Sequence, residues 1–380
     1  MKQIIAVTRG LVGVLFIFSG MVKADDPLGL SYKMQEFFDV WGIHWLDHLT
    51  LTFAMIMIVF EIVAGVAVLV GWRMRLFSWL LLLLMIFFTF LTGYAYLSGK
   101  VRECGCFGDC IPLTAGESFL KDLVLMVLVV FLFAMRHRIR PLLPPVISVA
   151  VLAAATLFAF ILQGYVLRHL PVVDCLPYKK GTHIIEQMKI PPGAVPDSTV
   201  ITMVYQKNGQ KVEFDASHFP KDFDDSYKFV SRYDKVVREG NAVPAIKDFV
   251  LTTDAGTDTT QDVLSARGYK LFEFVRELND DLATQNFSII LTAAKARHIP
   301  VYIITADYDD VVNKVRQIGI ASDVTVLKCD AIAVKTAARV NPTLYLLKND
   351  LILGKWSYAD IDKAIPAVNE SQNQEAAAIQ

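Results

Sequence analysis

Leu49-Thr50-Leu51-Thr52-Phe53-Ala54-Met55-Ile56-Met57-Ile58-Val59-Phe60-Glu61-Ile62-Val63-Ala64-Gly65-Val66-Ala67-Val68-Leu69-Val70 runs for 22 residues with one charged side chain, Glu61. At the ~1.5 Å rise of an α-helix, such a run is long enough to cross a ~30 Å hydrocarbon core. Comparable runs lie on either side of it: Ile4–Val22, Leu76–Leu97, Phe119–Met135 and Val146–Leu162. The chain is therefore expected to begin as an α-helical membrane bundle, a four-helix core plus a fifth helix, with the lipid bilayer as its first partner. Past about Gln163 the sequence turns into ordinary charged globular chain. The averages of 54% hydrophobic residues and mean hydropathy +0.43 come mostly from the first part. A net charge of −1 with no clustered basic face argues against nucleic acid as a partner.

Cationic loops set the expected orientation. Arg73 and Arg75 follow the second run, and Arg136, Arg138 and Arg140 follow the fourth. Loops rich in arginine stay in the cytoplasm, and these outnumber Lys100 and Arg102 in the connection Ser98–Ser118. The amino terminus is then cytoplasmic, and everything after Gln163 lies outside, in the periplasm of a Gram-negative cell with the bundle in its inner membrane. A cleaved signal peptide ending near Val22-Lys23-Ala24 is a rival reading of the first run. Arg9 inside the apolar stretch argues against it, and either outcome leaves the next loop on the same side.

Under this topology all five cysteines face an oxidising compartment, where disulfides persist. Three of them fall in Cys104-Gly105-Cys106-Phe107-Gly108-Asp109-Cys110. A Cys-x-Cys disulfide closes a small strained ring, and strained exposed disulfides exchange readily. Cys104 and Cys106 are the candidate exchanging pair, with Cys110 or Cys175 as the resolving thiol. Two other readings stay open. One is a structural disulfide. The other is a metal site, in which Cys175 or His169 would add the fourth ligand to the three loop cysteines. A membrane quinone is the one cofactor considered as an electron acceptor, although no residue defines a site for it. Arg9 and Glu61 are ionisable groups at membrane depth, which marks a functional candidate. The blander reading, an Arg9–Glu61 pair locking two helices, is preferred. Asp122, below the cysteine loop, is either a proton acceptor or a residue favoured by the helix dipole.

Several of these residues are also grouped as in a known family. Arg9, Phe16-Ile17-Phe18-Ser19-Gly20 and Lys23 resemble the first helix of DoxX-like membrane proteins, and Glu61, Gly65 and Gly71 before a basic turn resemble the second. Cys104-Gly105-Cys106-Phe107-Gly108 resembles the hallmark of MauE-type methylamine utilisation proteins, in the same four-helix superfamily. The layout as a whole is similar to DoxX family proteins of Bacteroidetes. The likeness covers about residues 1–140. It implies support of disulfide formation or maturation of exported proteins, and DoxX relatives imply quinone-coupled sulfur redox chemistry. Cys110 and a fifth helix at 141–166 depart from the pattern, and that helix reads as a tether.

The exported part opens with a β-rich linker at 167–242. Thr199–Tyr205 and Lys211–Phe214 flank Asn208-Gly209, a hairpin signal. Residues 243–366 resemble a thioredoxin-like α/β domain. Strands are expected at Lys270–Val275, Val301–Thr305, Val324–Lys328, Leu344–Leu347 and Leu351–Trp356. Helices are expected at Asp280–Arg297, Tyr308–Ile318 and Ala331–Arg339, and Pro342 stands where that family has a cis-proline. The place of the family's Cys-x-x-Cys reads Arg276-Glu277-Leu278-Asn279-Asp280-Asp281, and Cys329 reads as an inert buried thiol. The resemblance therefore implies a redox-silent domain that binds an exported or periplasmic protein partner. Residues 367–380 read as a disordered tail. Thiol–disulfide exchange at the cysteine loop is the leading functional expectation, and a non-catalytic membrane scaffold is its rival. A transporter built on Arg9 and Glu61 is disfavoured, because no broken-helix signal is present.

Overall fold

The computed structural model describes residues 1–101, 105, 108–195, 198–207, 209–215, 219, 220, 222–238, 240, 242–278 and 285–370. Four helical segments are long and apolar enough to span a membrane. They are α1 (Lys2–Asp25), the stretch His44–Val70 that ends in α3 (Thr50–Val70), α4 (Met74–Ser98) and α6 (Pro145–His169). The expected fourth run differs from these. Its helix α5 (Ala115–Ala134) begins at a capping box between Thr114 and Glu117 and also takes in Lys121 and Asp122, so uninterrupted apolar sequence starts only at Leu123. It still lies antiparallel along the length of α4, with Tyr96 stacked on Phe119, Thr92 bonded to Asp122 and Trp79 against Phe133. Between α1 and α3 the chain forms a shorter helix, α2 (Pro27–Trp41), capped by Asp26 and begun by a proline at its first turn.

α1 and α3 pack closest of all. A Cβ on Gly65 would stand 2.9 Å from the Gly13 carbonyl oxygen, and one on Gly13 would stand 2.9 Å from that of Gly65. Small residues at such a crossing let two backbones approach where lipid gives no hydrophobic drive for association. At one end of the bundle Leu142 N–H donates to the Val70 carbonyl at 2.8 Å, joining the α5–α6 connection to the end of α3. At the other end lie the last turn of α1, α2, the cysteine loop and the α/β region.

That region holds a five-stranded mixed sheet and a separate three-stranded sheet. The larger contains β4 (Tyr269–Val275), β5 (Val301–Thr305), β6 (Thr325–Lys328), β7 (Thr343–Lys348) and β8 (Leu351–Ser357) in the order β6-β5-β4-β7-β8. β4, β5 and β6 are parallel, while β7 and β8 run antiparallel. Every residue of the central strand β4 is buried, as expected of a strand covered on both faces. Phe272 and Phe274 enter one core with Phe249 and Tyr345, and Leu271 and Val275 enter the other with Phe287 and Ile290. The helices α7 (Gln285–Ala296), α8 (Tyr308–Gln317) and α9 (Ala331–Ala337) follow β4, β5 and β6.

Two expected boundaries are corrected. Residues 167–242 are not one linker. Leu176, Tyr178 and Ile184 are buried, and Tyr178 and Ile184 belong to the α/β core, where Ile184 N–H donates to the Asp350 carbonyl at 3.0 Å. Between that stretch and Ile246 the chain inserts an antiparallel sheet of β1 (Ser198–Lys207), β2 (Gln210–Asp215) and β3 (Lys228–Arg238), in the order β2-β1-β3. The first four residues of the expected tail, 367–370, are helical. The helix spans residues 364–370, and Val368 is buried against the second core, an i, i+4 match to Ala364. The rest of the expected tail, 371–380, lies outside the described residues.

Candidate functional site at the cysteine loop

The loop between α4 and α5 is folded by two left-handed glycines, Gly105 at φ 65° and Gly108 at φ 57°, with Gly108 N–H donating to the Gly105 carbonyl at 3.0 Å. A residue with a Cβ is strained at either position. A Cβ at Gly105 would also stand 3.0 Å from Cγ of Lys33, so α2 lies directly against the loop. The expected exchanging cysteines, Cys104 and Cys106, flank this glycine and lie outside the described residues. The loop closes in a short turn, Gly108–Cys110, and Cys110 is joined by a disulfide to Cys175.

The α/β region reaches this loop through charged side chains. Arg339, only 5% exposed, donates to Asp26 at 2.8 Å and to Asp109 at 2.6 Å. Its guanidinium also lies over the Tyr32 ring, 5.4 Å from the centroid. Burial opposes the charge, but Asp26 and Asp109 outweigh it and hold the guanidinium above its ordinary pKa. Arg276 donates to the Tyr32 hydroxyl at 2.6 Å, and burial pushes that phenol up against the pull of the two arginines. A second contact runs through Asp174 and Lys355 at 3.0 Å. A third has Asp25 accepting from the backbone N–H groups of Val172 and Val173, at 2.8 and 3.0 Å. His169 pairs with Asp360 at 2.8 Å.

The Asn341–Pro342 peptide, two residues after Arg339, is cis. The Asn341 side chain accepts from Arg276 N–H at 2.7 Å and donates to the Glu277 carbonyl at 2.6 Å. It thereby ties the proline turn to the place where no cysteine stands. Cys329 is the free cysteine among the described residues, and burial pushes its thiol up to about 12. Such a thiol is a poor nucleophile near neutral pH.

The metal reading loses two of its candidate ligands, since Cys110 and Cys175 hold each other. Elsewhere Asp39, His44 and Asp47 place ligand atoms within 4.8 Å of one another on an exposed turn.

The expected Arg9–Glu61 pair is also corrected. Glu61 is bonded to Lys23 at 2.8 and 3.0 Å, and Lys23 donates to Ser19 at 3.0 Å, all deeply buried. Arg9 is 14 residues away on α1, roughly 20 Å along the axis at helical rise, and donates to the Arg140 carbonyl at 3.4 Å. Two antiparallel helices bring the end of one to the middle of the other, so Lys23, not Arg9, meets Glu61. The α1–α3 glycine crossing instead sets Arg9 beside Gly71, past the end of α3. A cavity of about 30 Å³ separates the Lys23–Glu61 pair from Lys121 and Asp122, whose side chains are 3.0 Å apart. Asp122 also accepts from the Thr92 hydroxyl at 3.1 Å. The cavity has room for water and is too small for a quinone ring.

Residues 1–135 match the family described as methylamine utilisation protein MauE. A MauE-family domain therefore takes in α1 to α5, and α6 lies beyond the match. One end of the bundle carries Asp26, Asp109 and Cys110. Residues 199–239, which coincide with the three-stranded sheet, match a domain of unknown function, DUF8463. The chain is also similar to Protein TlpB of Flavobacterium psychrophilum, 28% identical over 128 residues. That stretch is 33% of this chain and 35% of the relative, so the chain spans about a third of the relative's length. No solved structure matches.

Proposed function

We propose that this chain is a membrane-anchored thiol–disulfide exchange protein acting on exported proteins, with Cys104 and Cys106 as the exchanging pair. In the step we propose, a partner thiolate attacks one sulfur of a Cys104–Cys106 disulfide and that bond breaks. A mixed disulfide forms, and the partner's second thiol then displaces the loop as a dithiol. One observation carries this reading. The loop bearing Cys-x-Cys is bound by Arg339 to the proline-turn end of the α/β region, at the face where Asp109 and Cys110 meet it. The MauE match over the membrane part supports it. No step is routed through a quinone, because no residue defines a site for one.

The finer readings belong to this proposal. The bundle is DoxX-like, and its cationic loops face the cytoplasm in an inner membrane. The α/β region is thioredoxin-like, as three parallel strands followed by an antiparallel pair and a cis-proline before β7 suggest. In that reading the α/β region presents partners and does no chemistry itself. A scaffold function is the second reading. It is favoured by the buried, high-pKa Cys329 and by the absence of cysteine from Arg276 to Asp281.

Cells carrying Cys106→Ser or Cys104→Ser, quenched in acid and alkylated, separate the two. Exchange predicts a higher-mass, reducible adduct with at least one variant. No adduct with either leaves the scaffold.

A further inference from the structure

Two of the cysteines directly follow an aspartate, Asp109-Cys110 and Asp174-Cys175, and each of those aspartates pairs with a buried cation of the α/β region. The cations are Arg339 and Lys355, whose side chains are 6% and 5% exposed. The disulfide therefore joins the loop that Arg339 holds through Asp109 to the stretch after α6 that Lys355 holds through Asp174. Cys175 lies between Asp174 and Leu176, beside buried residues of the α/β region, while Cys110 belongs to the membrane domain. The rest of this contact is polar: Asp26 to Arg339, Tyr32 to Arg276, and Asp25 to two backbone N–H groups. Apart from the chain itself, the disulfide is the covalent bond described across it.

We infer that the Cys110–Cys175 disulfide is a redox-set lock that holds the α/β region seated on the cysteine loop, with Arg339 as the positioning residue of that seat. A dithiol reductant opens it. One of its sulfurs attacks Cys110 or Cys175, the bond between them breaks, and a mixed disulfide forms. The second sulfur of the reductant then closes a ring. Both cysteines leave as thiols, taking the two protons, and the reductant leaves as a disulfide. With the bond open, ion pairs and hydrogen bonds hold the seat. Linkage makes the effect reciprocal: whatever factor the bond adds to seating, seating adds to the bond's resistance to reduction. This goes beyond the exchange reaction proposed above and does not rest on it, since neither Cys104 nor Cys106 takes part.

The test uses the full chain with Cys104→Ser and Cys106→Ser, in lipid nanodiscs, titrated with dithiothreitol. Hydrogen exchange is followed by mass spectrometry. Reduction is expected to raise exchange about tenfold across 170–175 and 335–340, while β4 (Tyr269–Val275) stays protected. Arg339→Gln is expected to lower the dithiothreitol concentration for half-reduction by about tenfold, and Arg339→Lys, which keeps the charge, to lower it less. If β4 loses protection in Arg339→Gln, Asp109→Asn replaces it as the probe. The lock is overturned if the bond is shown open by mass and exchange at the seat does not change. It is equally overturned if a folded Arg339→Gln or Asp109→Asn variant reduces at the wild-type concentration.

Discussion

Glu273 shows how much one carboxyl can set. It stands in the middle of β4, fully buried, with no hydrogen-bond partner for one of its oxygens, and burial pushes it up to about 8. Below the ordinary carboxylate value both folded and unfolded chains are protonated there, and the group costs nothing. As pH rises from about 5 to 8 the unfolded chain ionises and the folded one does not, so stability falls. Glu273→Gln is expected to melt with the wild type near pH 4 and above it near pH 8. The gap, at ~1.4 kcal/mol per pH unit, stays under about 5 kcal/mol. Cys329 gives a second expectation at this scale: N-ethylmaleimide at pH 7.5 leaves it unmodified in the folded protein and labels it once unfolded. Lys23 gives a third. Removing one partner of a buried ion pair strands the other, at a typical cost of about 3–5 kcal/mol. Lys23→Met is therefore expected to lower the melting temperature in detergent further than the double variant Lys23→Met, Glu61→Met.

At the scale of elements, the α1–α3 crossing has no room to adjust. The Cβ of Gly65→Ala meets the Gly13 carbonyl and Cγ1 of Ile17, both at 2.9 Å, so the helices must part. A loss of about 1–3 kcal/mol, read as a lower melting temperature, is expected, with little change for Gly10→Ala, where the space is open. Elements were also the most legible part of the sequence. Apolar runs, prolines and capping residues fix where helices and strands start and stop, and those signals are local, so β5 matches its expected bounds and β4 misses by one residue. Pairings were less legible, because they depend on register across the fold. Nothing near Glu61 in the chain says that Lys23 faces it. Nothing near Arg339 says that it spans Asp26 and Asp109, while the place of Cys175 soon after the fifth run brings it near the cysteine loop without singling out Cys110. The α2 helix was hidden for another reason. It is amphipathic and short, inside what reads as a polar connection between two spans.

As a whole molecule the protein is a membrane bundle, an α/β region seated on one of its ends, and an inserted three-stranded sheet. Among the described side chains, none of β1, β2 or β3 enters a hydrophobic core, and Ala242 N–H donates to the Val195 carbonyl at 3.1 Å across the neck of the insertion. Replacing 198–238 by a short Gly-Ser turn is thus expected to leave the melting temperature within a few degrees of the parent. A collapse would show that the sheet supports the rest. An alkaline phosphatase fusion after Glu370 is expected to be active and one after Arg138 inactive, as the cationic loops require. The reverse pattern removes the setting that disulfide exchange needs.

The bridge between Cys110 and Cys175 spans 65 residues of chain, and Arg339 comes far later still. During synthesis the ribosome delivers Cys110 well before Cys175, and the cation that pairs with Asp109 arrives later still. The nascent protein must therefore cross an interval in which Cys110 has only Cys104 and Cys106 as intramolecular mates. A translation product that stops short of residue 175 lacks this bridge, whatever other bonds it forms.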